Sequence, residues 1–356
     1  MNLLSRFLKR KLDLKHALKV LDKIHPTTID KLPYRISCVQ RSIKKLKKVE
    51  DYVLDLHRFV REAAFARSIL IVFPEYNMLD LFTLIPGFKI LDTIANRISK
   101  RKKRQENEGE NEKGINKFVY KTFLAISEPS QKLLEGVMMR LAKMYGIYIY
   151  TGSYFLKENG KLFNSGTLIS NSGEILGRQK KLHLTDLEEK LGVSRGSELY
   201  TFETPVGRVA IPICMDATYF ETFYIAAKKG TDVVIIPIAN AEEYNIYRAL
   251  RGIWGRVQET YLYGVKASLN GWFFGMHFTG KAGIFAPIEI TKGKNGVVSI
   301  SQEYEGDDLI TNDLDVKNLR ALRRRAEFYG DINIKFEGKY MSILREIIFS
   351  SMGKKL

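Results

Sequence analysis

Three residues, Glu75, Lys181 and Cys214, have side chains that could together perform covalent acyl chemistry. The thiol of Cys214 would attack a carbonyl carbon, and the carboxylate of Glu75 would accept the thiol proton and return it to a leaving nitrogen. The ammonium of Lys181, with the backbone N–H after the cysteine, would stabilise the negative oxygen of the tetrahedral intermediate and lower the pKa of the thiol. The expected intermediate is a thioester that water then hydrolyses.

Each of the three residues follows a predicted β-strand. Residues 209–213 and 68–74 are largely apolar runs that indicate buried strands, and Lys181 lies just beyond a strand predicted at 174–179. Because parallel strands present their carboxyl ends to one crevice, we expect the three side chains to meet there. Taken singly, Glu75 could instead be a solvated loop residue, and Lys181 could belong to a solvated strand edge.

The elements around these strands predict an α/β fold with a mixed sheet. A strand at 35–40, a helix at 49–66 with one apolar face and the apolar strand at 68–74 form a βαβ unit. Hairpins follow, one of them marked by the turn signal Asn159-Gly160. Strand and helix patterns then alternate without a clear linker, so we expect one large domain from residue 34 to residue 330.

The composition indicates a protein with a large core. The chain has 356 residues, of which 45% are hydrophobic. Its two cysteines do not form a disulfide framework, so a reducing, cytoplasmic setting is expected. No apolar run approaches the roughly 18 residues of a transmembrane helix, and the N-terminus lacks a signal-peptide pattern.

The positive charge is concentrated outside the middle of the chain. The net charge is +17, yet residues 122–316 carry −2. Residues 1–33 predict a basic amphipathic extension, and residues 331–356 predict a helical tail. This distribution indicates an anionic surface partner, such as peripheral contact with an anionic membrane, rather than an anionic substrate. For the N-terminal helix, packing on its own domain is the favoured alternative.

Residues 88–121 form a charged insertion. An apolar helical face is followed by the run KRKKRQENEGENEKG, which is typical of a mobile, solvated loop. The acidic residues next to KRKKR cancel much of its field, and no aromatic residues interleave with it. Nucleic-acid binding is therefore not expected.

Several segments in a fixed order resemble the carbon-nitrogen hydrolase (nitrilase) superfamily. They are SCVQ, ILIVFPE, GTLISNSGEILGRQKKLHL, GRVAIPICMD, PIAN, GRVQETYLYGVKASLNG and GKAGIFAP. The resemblance implies that Glu75 is the base, that Lys181 is the lysine and that Cys214 is the nucleophile. It places a second glutamate, which would help to position the lysine and the water, on Glu189. It also implies a four-layer α-β-β-α sandwich of two mixed sheets, homo-oligomers, and no metal or organic cofactor.

The residues after the cysteine depart from the pattern common in that superfamily. This chain has Cys-Met-Asp-Ala-Thr-Tyr-Phe-Glu where many members have Cys-Tyr-Asp-x-Arg-Phe-Pro-Glu, so the pocket wall here is more apolar. Asp216 favours the amidase-like branches, which makes nitrile hydrolysis the less favoured reaction. We expect a hydrophobic acyl group in the substrate. The expected substrate-binding residues are Tyr76, Met215, Thr218, Phe220, Ala239 and Asn240.

These observations favour a hydrolase that cleaves a linear amide or carbamoyl compound. An N-acyltransferase would use the same thioester but pass the acyl group to an amine. A third possibility is a catalytically silent protein that keeps the fold and acts at a membrane surface or in an interaction. The presence of Glu75, Lys181 and Cys214 together argues against the third.

Overall fold

The computed structural model describes residues 3–27, 29–90, 92–93, 95, 112–326, 333 and 335–342. The chain divides into two compact units, Met1–Val316 and Lys317–Leu356. The first unit contains the three residues of the predicted site. The domain boundaries expected near residues 33 and 330 stay predictions.

The secondary structure alternates between strands and helices. The strands are β1 (Arg35–Ser42), β2 (Leu70–Val72), β3 (Tyr148–Glu158), β4 (Lys161–Ile169), β5 (Ile175–Lys180), β6 (Val193–Ser194), β7 (Thr201–Thr204), β8 (Gly207–Ala210), β9 (Val233–Ile238), β10 (Tyr263–Phe273), β11 (Met276–Phe278), β12 (Gly283–Phe285), β13 (Val297–Ile300) and β14 (Asp308–Asp313). The helices with fully described ends are α1 (Leu3–Lys11), α2 (Leu14–Leu18), α3 (Val49–Phe65), α4 (Glu112–Tyr145), α5 (Asp186–Lys190), α6 (Phe220–Lys228), α7 (Ile246–Thr260) and α8 (Val316–Arg325).

The strands form a mixed sheet, as predicted. Hydrogen bonds join them in the order β5-β4-β3-β2-β1-β10-β9-β8-β7. The middle of this path, from β3 to β8, is parallel, whereas β4, β5 and β7 are antiparallel to their neighbours. The apolar strands β2 and β9 lie in the parallel part, where both faces of a strand are covered.

The two predicted sheets meet at the β1–β10 pair. These strands are parallel neighbours, with Gln40 opposite Ser268. Strand β1 carries the β2 to β5 side, which holds Glu75 and Lys181, and β10 carries the β9 to β7 side, which holds Cys214. The register of this one pair therefore helps to set how the two halves of the site face each other.

The N-terminal helices belong to the main hydrophobic core. Leu8, Leu12, Ala17 and Leu21 are buried in the same cluster as α3 and α4. The α2 helix also lies so close to α4 that a Cβ on Gly136 would be 2.4 Å from the Leu14 side chain. The apolar stripe of the predicted amphipathic extension thus packs on its own unit.

The α4 helix is much longer than the sequence pattern suggested. A helix was expected from residue 133, but α4 begins at Glu112 and continues through Pro129. The Glu and Lys residues at its start favour helix, so the loop prediction is wrong for residues 112–114. Residues 100–111 of the charged run lie outside the described residues. In the described part of the chain, no helix is both long and apolar enough to cross a bilayer.

Candidate active site

Glu75 lies just beyond the carboxyl end of β2, where the chain turns out of the sheet. Its side chain is only 1% exposed. The following residue, Tyr76, has a φ of +52°, and the Tyr76 N–H donates to Ser153 Oγ at 3.0 Å. Arg41, which is fully buried, donates to the Asn77 carbonyl at 3.1 Å. These bonds fix the turn, so the direction of the Glu75 carboxylate is set by its backbone.

Cys214 occupies the turn after β8 and begins a short 3₁₀ helix, Cys214–Thr218. Its φ of +46° is in the left-handed region, which costs a non-glycine residue roughly 1–2 kcal/mol. Asp216 holds the turn in place by accepting the Ile213 N–H at 2.8 Å. A strained turn of this kind presents the thiol at the edge of the sheet, as predicted.

Lys181 lies between two carboxylates. Its Nζ is 2.8 Å from Glu75 Oε1 and 2.8 Å from Glu188 Oε2. The Asn164 Nδ2 donates to both acids, at 2.8 Å to Glu75 Oε1 and 2.9 Å to Glu188 Oε1. The structure therefore brings Glu75 and Lys181 together and adds Asn164 and Glu188, two residues that the sequence analysis missed.

The expectation for Glu189 is wrong, and Glu188 lies next to the lysine instead. Glu189 points to solvent and pairs with Arg195. Consecutive residues of a helix are about 100° apart, and in α5 that rotation turns Glu188 inward. The Glu188 carboxylate also accepts the Thr185 N–H at 2.9 Å, which closes a capping box. The signature Thr-x-x-Glu at 185–188 could have identified it from the sequence.

The two carboxyls that hold Lys181 differ in the direction of their pKa. Burial raises the pKa of Glu75 above its ordinary value, even though Lys181 acts in the opposite direction. For Glu188, burial also raises the pKa, but the charge of Lys181 and the hydrogen bonds from Lys181, Tyr76 and Thr185 outweigh it, so the pKa is lowered. Paired acids with divergent pKa values are typical of a proton-exchanging group next to a permanent counter-ion.

The thiol of Cys214 is held in its neutral form. Burial and the negative charge of Glu75 raise its pKa well above the ordinary value, and the opposing effects of Lys181 and the Ala239 N–H are smaller. The prediction that Lys181 would leave the thiol with a low pKa is thus wrong in its net direction. Attack by this thiol requires a base, and Glu75 is hydrogen bonded to it.

Asp216 joins the cysteine turn to the lysine loop. Besides Ile213 N, its carboxylate accepts the Leu182 N–H at 3.1 Å and the His183 N–H at 2.6 Å. Both donors directly follow Lys181 in the chain. Asp216 is fully buried, and it therefore acts as a positioning residue for both the nucleophile and the cation.

A cavity of about 720 Å³ opens onto these groups. Five of the six expected substrate-binding residues line it: Tyr76, Met215, Thr218, Ala239 and Asn240. Phe220 does not line the cavity. It begins α6 and is 55% exposed, because the 3₁₀ turn after Cys214 rotates the helix start outward.

One side of the cavity is aromatic. The rings that line it are Phe82, Phe88, Phe123, Phe155, Phe273, Phe274 and Phe278. They contact one another, with centroids 4.4 Å apart for Phe123 and Phe155 and 5.6 Å apart for Phe82 and Phe273. This wall presents a preformed apolar surface to a ligand. Across the described ranges, no group of three or more His, Cys, Asp or Glu residues is placed to hold a metal ion.

Comparison with known proteins gives distant relatives and close folds. The chain is 26% identical over 309 residues to "Probable hydrolase YhcX" of Bacillus subtilis, covering 82% of this chain and 52% of the relative. It is 26% identical over 212 residues to "Omega-amidase NIT2" of Homo sapiens, covering 57% and 63%. The chain thus spans only about half to two thirds of the length of these relatives.

The fold matches solved structures. An amidase from Nesterenkonia sp. aligns with a TM-score of 0.57 and 16% identity, covering 89% of this chain and all of that one. The C. elegans NitFhit protein aligns with a TM-score of 0.62 and 17% identity, covering 86% and 67%. These alignments confirm the predicted fold class. The family model for carbon-nitrogen hydrolases matches residues 35–324, which is most of the sequence and includes every residue of the site. The chain therefore belongs to the carbon-nitrogen hydrolase family.

Proposed function

We propose that this protein is an amidase-like hydrolase that cleaves a non-peptide amide with a hydrophobic acyl group, through a thioester on Cys214. The observation that carries the proposal is the hydrogen-bonded set of Glu75, Lys181 and Glu188 beside the thiol, at the mouth of an aromatic cavity. Its parts match the needs of acyl transfer: a nucleophile, a base and a fixed cation.

The first half of the reaction forms the thioester. Glu75 accepts the thiol proton while the sulfur of Cys214 attacks the carbonyl carbon. The carbonyl oxygen becomes negative and is stabilised by the Lys181 ammonium and the backbone N–H of Met215. The C–N bond then breaks as Glu75 returns the proton to the nitrogen, which leaves as an amine or ammonia.

The second half releases the acid. Water attacks the thioester carbonyl and gives one proton to Glu75, and the C–S bond breaks as that proton returns to the sulfur. Glu188 remains ionised throughout and keeps the charge of Lys181 in place. In an amidase from Nesterenkonia sp. AN1, the acetamide moiety of fluoroacetamide is covalently attached to the active-site cysteine, which supports the cysteine as nucleophile.

The aromatic wall supports a preference for long acyl chains. Burial of one methylene is worth about 0.8 kcal/mol, which corresponds to about a fourfold gain in kcat/KM per carbon. A series of straight-chain primary amides from acetamide to decanamide tests this by ammonia release. We expect kcat/KM to rise along the series until the cavity is filled.

The thioester is tested by intact mass. When hydrolysis is slowed at low temperature, the protein should gain the mass of the acyl group, and the Cys214→Ala variant should gain none. Added hydroxylamine or a primary amine in the same assay separates hydrolysis from transfer. A natively folded protein that neither releases ammonia nor gains mass with any amide in the series would refute the proposal.

A further inference from the structure

Lys266 differs from the other deeply buried cations of the described chain. Arg41 pairs with Asp55 and Asp80, and Lys181 pairs with Glu75 and Glu188. Lys266 is only 5% exposed, yet no carboxylate of the described residues lies within 4.0 Å of its ammonium. A buried charge without a partner is costly, so its position calls for an explanation.

The immediate surroundings of Lys266 are apolar. It lies in β10, opposite Ile236 of β9 and Gly283 of β12. Its Nζ is 5.9 Å from the centre of the Phe285 ring. Burial lowers the pKa of Lys266 to about 8, while the nearby Cys38 raises it and the nearby Lys281 lowers it. The ammonium therefore carries its charge at neutral pH without a fixed negative partner.

Lys266 lines the same cavity as Cys214. It belongs to a second part of the lining, away from the aromatic wall, that includes Ala217, Ile238, Gly252 and Ile253. These residues pack in or beside a different hydrophobic cluster from the one that holds the phenylalanines. Small residues keep this part open, since even a Cβ on Gly252 would be 3.9 Å from Ala217.

We propose that Lys266 binds an anionic group of the substrate, a carboxylate remote from the scissile bond. The substrate class then follows from the two parts of the cavity, and this step rests on the proposed function. If the apolar acyl chain lies against the aromatic wall, the carboxylate belongs to the amine portion. The compound class is that of N-acyl amino acids, in which an amide joins an apolar chain to a short carboxylate.

The charge distribution of the sequence argued against an anionic substrate, and the structure explains the difference. Net charge reports the sum over a segment, whereas recognition of a carboxylate needs one cation in a desolvated place. Lys266 alone provides that, and its effect on the sum is a single unit.

The test uses two matched probes, N-decanoylglycine and its uncharged analogue N-propyldecanamide. Binding is measured by calorimetry in the Cys214→Ala background, where no turnover can occur. We expect N-decanoylglycine to bind at least tenfold more tightly than the analogue. That preference should disappear in Lys266→Met, and it should persist in the control Lys281→Met, which removes a nearby charge that does not line the cavity.

The outcomes separate the two proposals. Equal binding of the two probes, or a preference that survives in Lys266→Met, overturns the role of Lys266 whatever the turnover. A charge preference that depends on Lys266, without hydrolysis by the Cys214 protein, supports the anion site and counts against the proposed hydrolysis. Lys266→Gln serves as a second variant, and thermal melting shows whether each variant is folded.

Discussion

Glu75 and Glu188 hold the same ammonium but have different chemical roles. Glu188 accepts hydrogen bonds from Lys181, Tyr76, Asn164 and the Thr185 N–H, so its charge is heavily compensated. Glu75 is more deeply buried and shares its surroundings with the thiol, and its pKa is raised. A carboxyl with a raised pKa can both take and release a proton near neutral pH, which is what the two half-reactions need.

The two neighbouring glutamates of α5 provide a sharp test. Glu188→Gln removes the second carboxylate from Lys181 and should lower kcat/KM about tenfold to hundredfold, since a hydrogen bond to a charged group is worth about 1.5–3 kcal/mol. Glu189→Gln, one residue away and exposed, should leave kcat/KM within about twofold. Equal effects of the two substitutions would contradict the assignment.

The same variant should also change the pH profile. The negative charge of Glu188 raises the pKa of Glu75, so its removal lowers that pKa. Glu75 must be ionised to accept the thiol proton, and activity therefore rises as pH increases through its pKa. The acid limb of kcat/KM should move to lower pH in Glu188→Gln and stay in place in Glu189→Gln.

At the scale of elements, Asp216 connects two loops that come from different parts of the sheet. It accepts N–H groups from the β8 turn at Ile213 and from the loop after β5 at Leu182 and His183. A change in this carboxylate should therefore move the thiol and the ammonium relative to each other.

Asp216→Asn tests this connection. The amide nitrogen of asparagine donates and cannot accept, so at least one N–H loses its partner, at a cost of about 1–3 kcal/mol. We expect a lower melting temperature together with a fall in kcat. The control Glu221→Gln changes an exposed acid that lies 3.7 Å from His183 Nε2, and it should behave like the wild type. A wild-type melting temperature and kcat in Asp216→Asn would show that the connection has no effect.

The sequence could predict the strand ends but not which side chain of a short helix points inward. The apolar runs before Glu75 and Cys214 are unambiguous, because such runs in a parallel sheet leave only their ends free for chemistry. Glu188 and Glu189 are adjacent, and their choice depends on how α5 docks. Lys266 stands in the strand pattern GVKASLNG, where nothing local separates a buried lysine from an exposed one. The net pKa of Cys214 depends on burial, which no motif encodes.

At the scale of the whole molecule, the N-terminal helices are part of the fold. Their basic side chains Lys9, Arg10, Lys11 and Lys15 are exposed, while their apolar stripe is buried. Peripheral contact with an anionic membrane stays a prediction, and it would use these charges rather than inserted leucines. Such contact would weaken with increasing salt.

A pair of substitutions measures how firmly this segment is packed. Leu21→Ala removes a fully buried side chain and should lower the free energy of unfolding by about 2–5 kcal/mol. Lys15→Ala, on the exposed side of α2, should change it by less than about 0.5 kcal/mol. Urea denaturation followed by circular dichroism compares them. Unchanged stability in Leu21→Ala would mean that the N-terminal helices are detachable.

The pairing of β1 with β10 has a consequence for synthesis on the ribosome. Strand β1 is made early, but its neighbour β10 ends at Phe273 and its other partner β14 ends at Asp313. Pairings this distant in sequence form slowly and leave open strand edges meanwhile. The nascent chain therefore carries an unassembled site for most of its synthesis, and chaperone binding to the exposed edge of β1 is expected to govern the yield of active protein. Turnover thus appears only after nearly the whole first unit has emerged.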